Sequence, residues 1–139
     1  MRTVVGVGLG VLLVIGFGAS RLLAGLPGDG GGGPPPCDEA IAWDEAGAAV
    51  GRSAAVVGPV AEATFAPEVG GEPTFLNLGG AHPDPDRFDV VVYADVRDRL
   101  ADDLEDRLVG TTVCVRGDVR ERDGVPQIVL DHPSHLVER

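Results

Sequence analysis

The chain contains no lysine: all 11 of its basic side chains are arginine, set against 22 Asp and Glu, for a formal charge of −11. So few cations argue against a non-specific binder of duplex DNA or anionic lipid, which must neutralise phosphates with many Lys and Arg. The missing lysines and the acid excess also fit a GC-rich coding sequence or adaptation to salt. Aromatic residues make up only 4 % of the chain, so any surface on which bases stack must be built from very few rings. Only two cysteines occur, which leaves room for one disulfide and no larger framework. Gly-x-Ser-x-Gly, His-Glu-x-x-His and phosphate-loop patterns are absent, and with them the usual signatures of acyl transfer, zinc proteolysis and nucleotide hydrolysis. At 139 residues there is space for one domain.

Charge is also missing from one long stretch. Thr3 to Ser20 is uncharged, and as a helix it would span about 27 Å, nearly the thickness of a bilayer core. A signal peptide has the same basic start and apolar middle, so residues 1–26 read as a signal-anchor or a signal peptide. The anchor is favoured because Gly18-Ala19-Ser20 is only a fair cleavage site and Arg21 can snorkel at an interface. The amino terminus and Arg2 outweigh Arg21, which places the amino terminus in the cytoplasm and the domain outside. The expected location is therefore the cell membrane, single-pass through residues 3–20, with a secreted form as the alternative. Residues 27–36, rich in Gly and Pro, form a tether.

Residues 37–139 hold 21 acids and nine arginines, a formal charge of −12. Strands are expected at Ser53–Phe65, Thr74–Leu78, Phe88–Ala94, Thr111–Arg120 and Val125–Leu130, from β-branched runs and period-two alternation. Gly58-Pro59 marks a bend within the first strand, and Asp123-Gly124 marks a hairpin between the last two. Asp44–Val50 reads as a short helix burying Ile41, Trp43, Ala46 and Val50. Asp95–Leu108 reads as one helix with Asp95 as N-cap and Val96, Leu100, Leu104 and Leu108 on its apolar face. Arg97, Asp98, Asp102, Glu105 and Asp106 form its solvated face. Strand parity turns Cys114 away from Val113, Val115 and Val119, toward the outside of the sheet, where an arm carrying Cys37 can reach it. In an exported protein that pair reads as a disulfide. Cys37 follows three prolines rather than a lipobox-like Leu-Ala-Gly, which argues against lipidation.

The layout is mainly β. It matches a five-stranded Greek-key barrel of the OB type, with a helix between strands three and four, preceded by an N-terminal hydrophobic helix. The segments VGPV (57–60), PTFLNLG (73–79), RFDVVVYADVR (87–97), VGTTVCVRGDV (109–119) and GVPQIVLDHPSHL (124–136) together resemble a bacterial group of small OB-fold, nucleic-acid-binding-like domains. That group occurs in exported proteins and beside nuclease-like modules, and the resemblance covers residues 41–138. Gly79, Gly117 and Gly124 fit turns or close backbone approach.

In OB-folds, ligands lie on the second and third strands and the adjoining loops, which nominates Phe75, Asn77, Arg87, Tyr93 and Arg116. Phe75 and Phe88 also read as core residues. Asn77, between Leu76 and Leu78, is a buried amide that must find partners; it either ties its strand to a neighbouring loop or offers donors to a ligand. Arg116, Arg120 and Arg122 share a strand face, but Asp118, Glu121 and Asp123 interleave with them and suggest cross-strand charge pairing. His82, His132 and His135 lie in proline-containing loops and are not expected to bind metal. The carboxylate and arginine motifs of staphylococcal-type nucleases, which share the barrel, are not recognisable. No enzyme and no cofactor is expected. The expected function is a tethered binding module for single-stranded nucleic acid or another small polymer, or alternatively one for an envelope protein or a cationic ligand. Amino-terminal sequencing of membrane-associated protein checks the leader: the anchor predicts an uncleaved start, and a mature form beginning near Arg21 would exclude it.

Overall fold

The computed structural model describes residues 33–139. The expected leader and most of the tether therefore lie outside the described residues, and among those described no helix is long and apolar enough to cross a membrane. Among the described residues seven strands form: β1 (Ile41–Ala42), β2 (Ser53–Phe65), β3 (Thr74–Leu78), β4 (Phe88–Val92), β5 (Thr112–Arg122), β6 (Val125–Val129) and β7 (Leu136–Glu138). Five of them close a barrel in the order β2-β3-β4-β6-β5, with β5 returning to β2. All neighbours in the ring are antiparallel except β4 and β6. The mainly β class and the five expected strands are thus present, and the closed barrel is consistent with the OB layout. Two short strands were not expected: β1, parallel on β2, and β7, antiparallel on β5.

Closure depends on two long strands that each change partner partway. Residues 53–59 of β2 pair with β5, and residues 60–65 pair with β3, with a register shift between Val60 and Glu62. The change falls directly after Gly58-Pro59, the bend expected from the sequence. The Pro59 carbonyl accepts from Gly79 N, while Val60 bonds Thr111 O through its N–H and Gly110 N through its carbonyl. The switch thus leaves the backbone groups of Pro59 and Val60 paired. In β5 the change comes after Asp118, next to Gly117, where a Cβ would meet Ile128 at 2.9 Å. The Asp123-Gly124 hairpin has positive φ at both residues, 53° and 81°, the type I′ turn that suits strand twist.

Alternating positions of these strands fill the interior with Val56, Leu76, Leu78, Phe88, Val90, Val92, Val113, Val115 and Ile128. One end is plugged by Trp43, whose ring lies against Gly58 and Gly79; a Cβ at Gly79 (φ 82°) would come within 2.3 Å of it.

The helices depart from expectation. Trp43–Ala49 is a 3-10 helix, with three residues per turn, so Trp43, Ala46 and Ala49 share its inner face. Val50 falls outside that period and is 39 % exposed, contrary to the expected burial. The single helix over Asp95–Leu108 is instead two short ones, α1 (Ala94–Arg97) and α2 (Leu104–Leu108), and the N-cap of α1 is Tyr93, not Asp95. Asp98, Asp102 and Asp103 occupy the break, and Asp103 takes a left-handed φ of 55°, a conformation Asp tolerates better than most residues. The apolar face survives, with Val96, Leu104 and Leu108 buried and Leu100 partly so. Two residues assigned to the solvated face are engaged: Arg97 Nη1 donates to Glu72 O at 2.6 Å, and Glu105 accepts from Thr74 Oγ1 at 3.0 Å.

The arm carrying Cys37 lies on the outside of β5, where Cys37 and Cys114 form a disulfide with Cα atoms 6.2 Å apart, 77 residues apart in sequence. Parity placed Cys114 on that side, and the arm buries it completely. Combining Cys37→Ser with Cys114→Ala should lower the unfolding free energy by up to about 4 kcal/mol in the chain-entropy account. Urea denaturation measures this, and an unchanged midpoint would show that the staple contributes nothing.

Candidate ligand-binding cleft

The inward alternation of β3, β4 and β6 leaves a second set of side chains facing out. From PTFLNLG these are Phe75 and Asn77; from RFDVVVYA they are Asp89, Val91 and Tyr93; from VPQIV it is Gln127. Strand register arranges them in rows. Glu62, Asn77, Asp89 and Gln127 are successive partners across β2, β3, β4 and β6, and Thr64, Phe75 and Val91 form the adjacent row. Between the turn at 66–72 and the loop at 81–87 this face sinks into a cleft of about 490 Å³, within the usual range of small-ligand sites.

The cleft has a polar floor and an aromatic wall. Asp89 is the centre of the floor: its Oδ1 accepts from Asn77 Nδ2 at 2.7 Å and Arg87 Nε at 2.8 Å, and its Oδ2 accepts from Arg87 Nη2 at 3.1 Å. Arg87 Nη1 donates to Asp84 O at 2.6 Å. The two charged side chains are only 10 % and 13 % exposed, a fork-on-fork pair that holds both planes in place. At the rim, Glu62 Oε1 accepts from His82 N at 3.0 Å, anchoring the 81–87 loop to β2. Tyr93 lies across Gly71, where a Cβ would meet the ring at 2.6 Å, and Ala94 N donates to Gly71 O at 3.0 Å. Gly71 has φ 84°, so a glycine both makes the turn and leaves room for the ring.

Of the residues nominated from sequence, Phe75, Asn77, Arg87 and Tyr93 all line this cleft. Arg116 does not. It sits on the part of β5 that pairs with β2, with Nη1 3.5 Å from Pro34 O. The core reading holds for Phe88, which is fully buried, and fails for Phe75, whose strand parity faces it outward. Asn77 is tied to a neighbouring strand, not to a loop. Asp89, Gln127 and Val91 were not nominated, although parity marks them: each alternates with a core residue, Phe88 or Val90 on β4 and Ile128 on β6. Arg120 and Arg122 are exposed and lie nearest Asp118 and Asp123 on their own chain segment, at 3.9 and 4.0 Å, rather than pairing across strands.

Elsewhere, Ser134 Oγ lies 2.8 Å from His132 Nδ1, a nitrogen that also accepts from Ser134 N at 3.1 Å. That ring caps the 3-10 turn Pro133–His135. His135 Nδ1 bonds Asp131 Oδ1 at 3.0 Å. Among the described residues no group of three or more His, Cys, Asp or Glu side chains is placed to hold a metal ion. No protein-family model matches the chain, and no curated protein sequence matches it.

The floor makes a stability prediction. Asp89→Leu leaves the Arg87 guanidinium nearly buried without its carboxylate and removes the partner of Asn77, and should cost about 3–5 kcal/mol. The double change Arg87→Met with Asp89→Leu should recover most of that loss. Chemical denaturation of Asp89→Leu, Arg87→Met and the double variant beside the parent measures the coupling, and additive losses would show that the pair acts as two independent residues.

Proposed function

We propose that this chain is a non-catalytic, membrane-tethered binding module of the OB type, exported by its leader. The ligand lies along the outer face of β3 and β4. Support for the finer fold assignment comes from the ring order β2-β3-β4-β6-β5, the parallel pair β4–β6 and the helical segment between the third and fourth barrel strands, together with the motif resemblance over 41–138. The observation that carries the functional reading is the cleft: four of the five residues nominated from sequence line it, on the face where OB barrels take their ligands.

Of the two ligand classes expected from the sequence, a protein segment or other cationic ligand is the better supported. Nucleic acid needs free cations along the groove. Here five arginines are engaged: Arg87 and Arg107 pair with carboxylates, and Arg97, Arg116 and Arg139 reach backbone carbonyls; in the cleft this leaves Arg122, exposed at the rim beside Asp123. Arg97 also stacks on Phe65, 4.3 Å from the ring centre.

The test uses the full-length chain in detergent, titrated separately with a 12-nucleotide single strand and with a short basic peptide. Amide chemical shifts are followed by NMR. The basic peptide should perturb Phe75, Asn77, Val91 and Gln127, with no comparable change at 43–49. Cleft shifts caused by the oligonucleotide alone would restore the nucleic-acid reading, and the absence of cleft shifts with either probe would overturn the binding module.

A further inference from the structure

Asn77 is only 3 % exposed and lines the cleft. Its Nδ2 is committed to Asp89, which fixes the amide orientation and turns the carbonyl, Oδ1, into an acceptor that makes no hydrogen bond among the described residues. Buried acceptors are normally satisfied, so this one calls for a donor from beyond the described residues. On the other side of Asp89, in register, the Gln127 side chain also lines the cleft and makes no hydrogen bond among the described residues. Glu62, at the end of the same row, has one oxygen on His82 N and the other without a hydrogen bond among the described residues.

The floor therefore offers acceptors, and its cation is spent. Arg87 directs Nε and Nη2 at Asp89 and Nη1 at the Asp84 carbonyl. At the floor, an incoming phosphate or carboxylate would have to break that pair to find a charge. The remaining cleft arginine, Arg122, stands at the rim, 73 % exposed and 4.0 Å from the Asp123 carboxylate, away from the floor acceptors. Beside these acceptors stand the Phe75 and Tyr93 rings, the latter held in place over Gly71.

We infer that the cleft is a receptor for a guanidinium group, carried by an arginine of an extended polypeptide segment. Guanidinium is planar, carries five donors and no acceptor, is weakly hydrated, and stacks on aromatic faces. Each property has its counterpart here: an aromatic wall for the plane, Asn77 Oδ1 and the Gln127 amide oxygen for the donors, Glu62 for the charge. Ammonium has the charge without the plane, and its tighter hydration makes entry beside two rings costlier. The acid excess of the domain steers a cationic segment toward the cleft.

The inference rests on the binding-module reading, and its test separates the two. Labelled pentapeptides with a central arginine, lysine or citrulline between glycines, blocked at both ends, are titrated into the full-length chain in detergent at physiological salt, beside free arginine and a 12-nucleotide single strand. The arginine peptide should bind at least tenfold tighter than the lysine and citrulline peptides and than free arginine. Gln127→Leu, at a half-buried position, and Asn77→Leu should each weaken it severalfold or more. Equal binding of the lysine peptide would overturn the guanidinium while leaving the module intact. Equal binding of free arginine would overturn the polypeptide carrier. Tighter binding of the oligonucleotide, or an arginine peptide indifferent to Gln127→Leu, would overturn the inference as a whole.

Discussion

A five-strand ring cannot close unless some strands serve two neighbours, and here that duty falls on β2 and β5. Each bonds the other with its first half and a different strand with its second. The change of partner demands a corner, and corners demand small residues or an interrupted ladder. Gly58-Pro59 and Gly117 supply them. Around the first corner the 110–111 turn fills the bonds that the switch would leave open, and Trp43 closes the end against Gly58 and Gly79. Without those turns the ring would be an open sheet with two edges exposed to other chains.

Closure also creates the outer face. Inside positions are fixed by the core, so outside positions follow by alternation, and rows that would be unrelated in sequence meet side by side. Asn77 and Asp89 are twelve residues apart in the chain and adjacent on the barrel. The nearly buried ion pair between Arg87 and Asp89 adds little net stability, since desolvation offsets most of its attraction. What it contributes is order: a rigid floor on which one amide oxygen is presented and one cation is withdrawn. The same economy recurs elsewhere, where Arg97, Arg116 and Arg139 are tied to the chain's own carbonyls. Arginines tied up in this way offer fewer free donors to an anionic ligand than the composition suggests.

The strands were legible because alternation and turn chemistry are local properties, and FDVVVYA or the Asp123-Gly124 pair specify them within a few residues. The Cys37–Cys114 bridge was legible from parity and from the lone pair of cysteines. The helices were less so. Val96, Leu100, Leu104 and Leu108 have helical spacing, yet Arg97 is drawn to the Glu72 carbonyl and Glu105 to Thr74, contacts made with a distant turn and strand that no local pattern records. Likewise DEAGAAV carries no signal that distinguishes a 3-10 period from an α period, and Val50 was lost by that difference. Phe75, Asn77, Arg87 and Tyr93 were found by residue type and fold likeness. Asp89 and Gln127 escaped because parity was applied to the core and not carried to the other face, and Arg116 fell outside the cleft because a shared strand is not a shared site.

The disulfide has a mechanical side. Cys37 stands at the first turn of the arm and Cys114 lies in the middle of the β2–β5 ladder, with β7 on its other flank. Tension applied through the chain ahead of Cys37 therefore bypasses β1 and the 3-10 helix and arrives in the most heavily bonded strand of the barrel. There it must shear two ladders at once instead of peeling a short edge strand residue by residue. A domain held in this way resists being unravelled by a pull on the chain ahead of Cys37, and most of the cleft, on β3, β4 and β6, stands on strands other than the one that first takes the load.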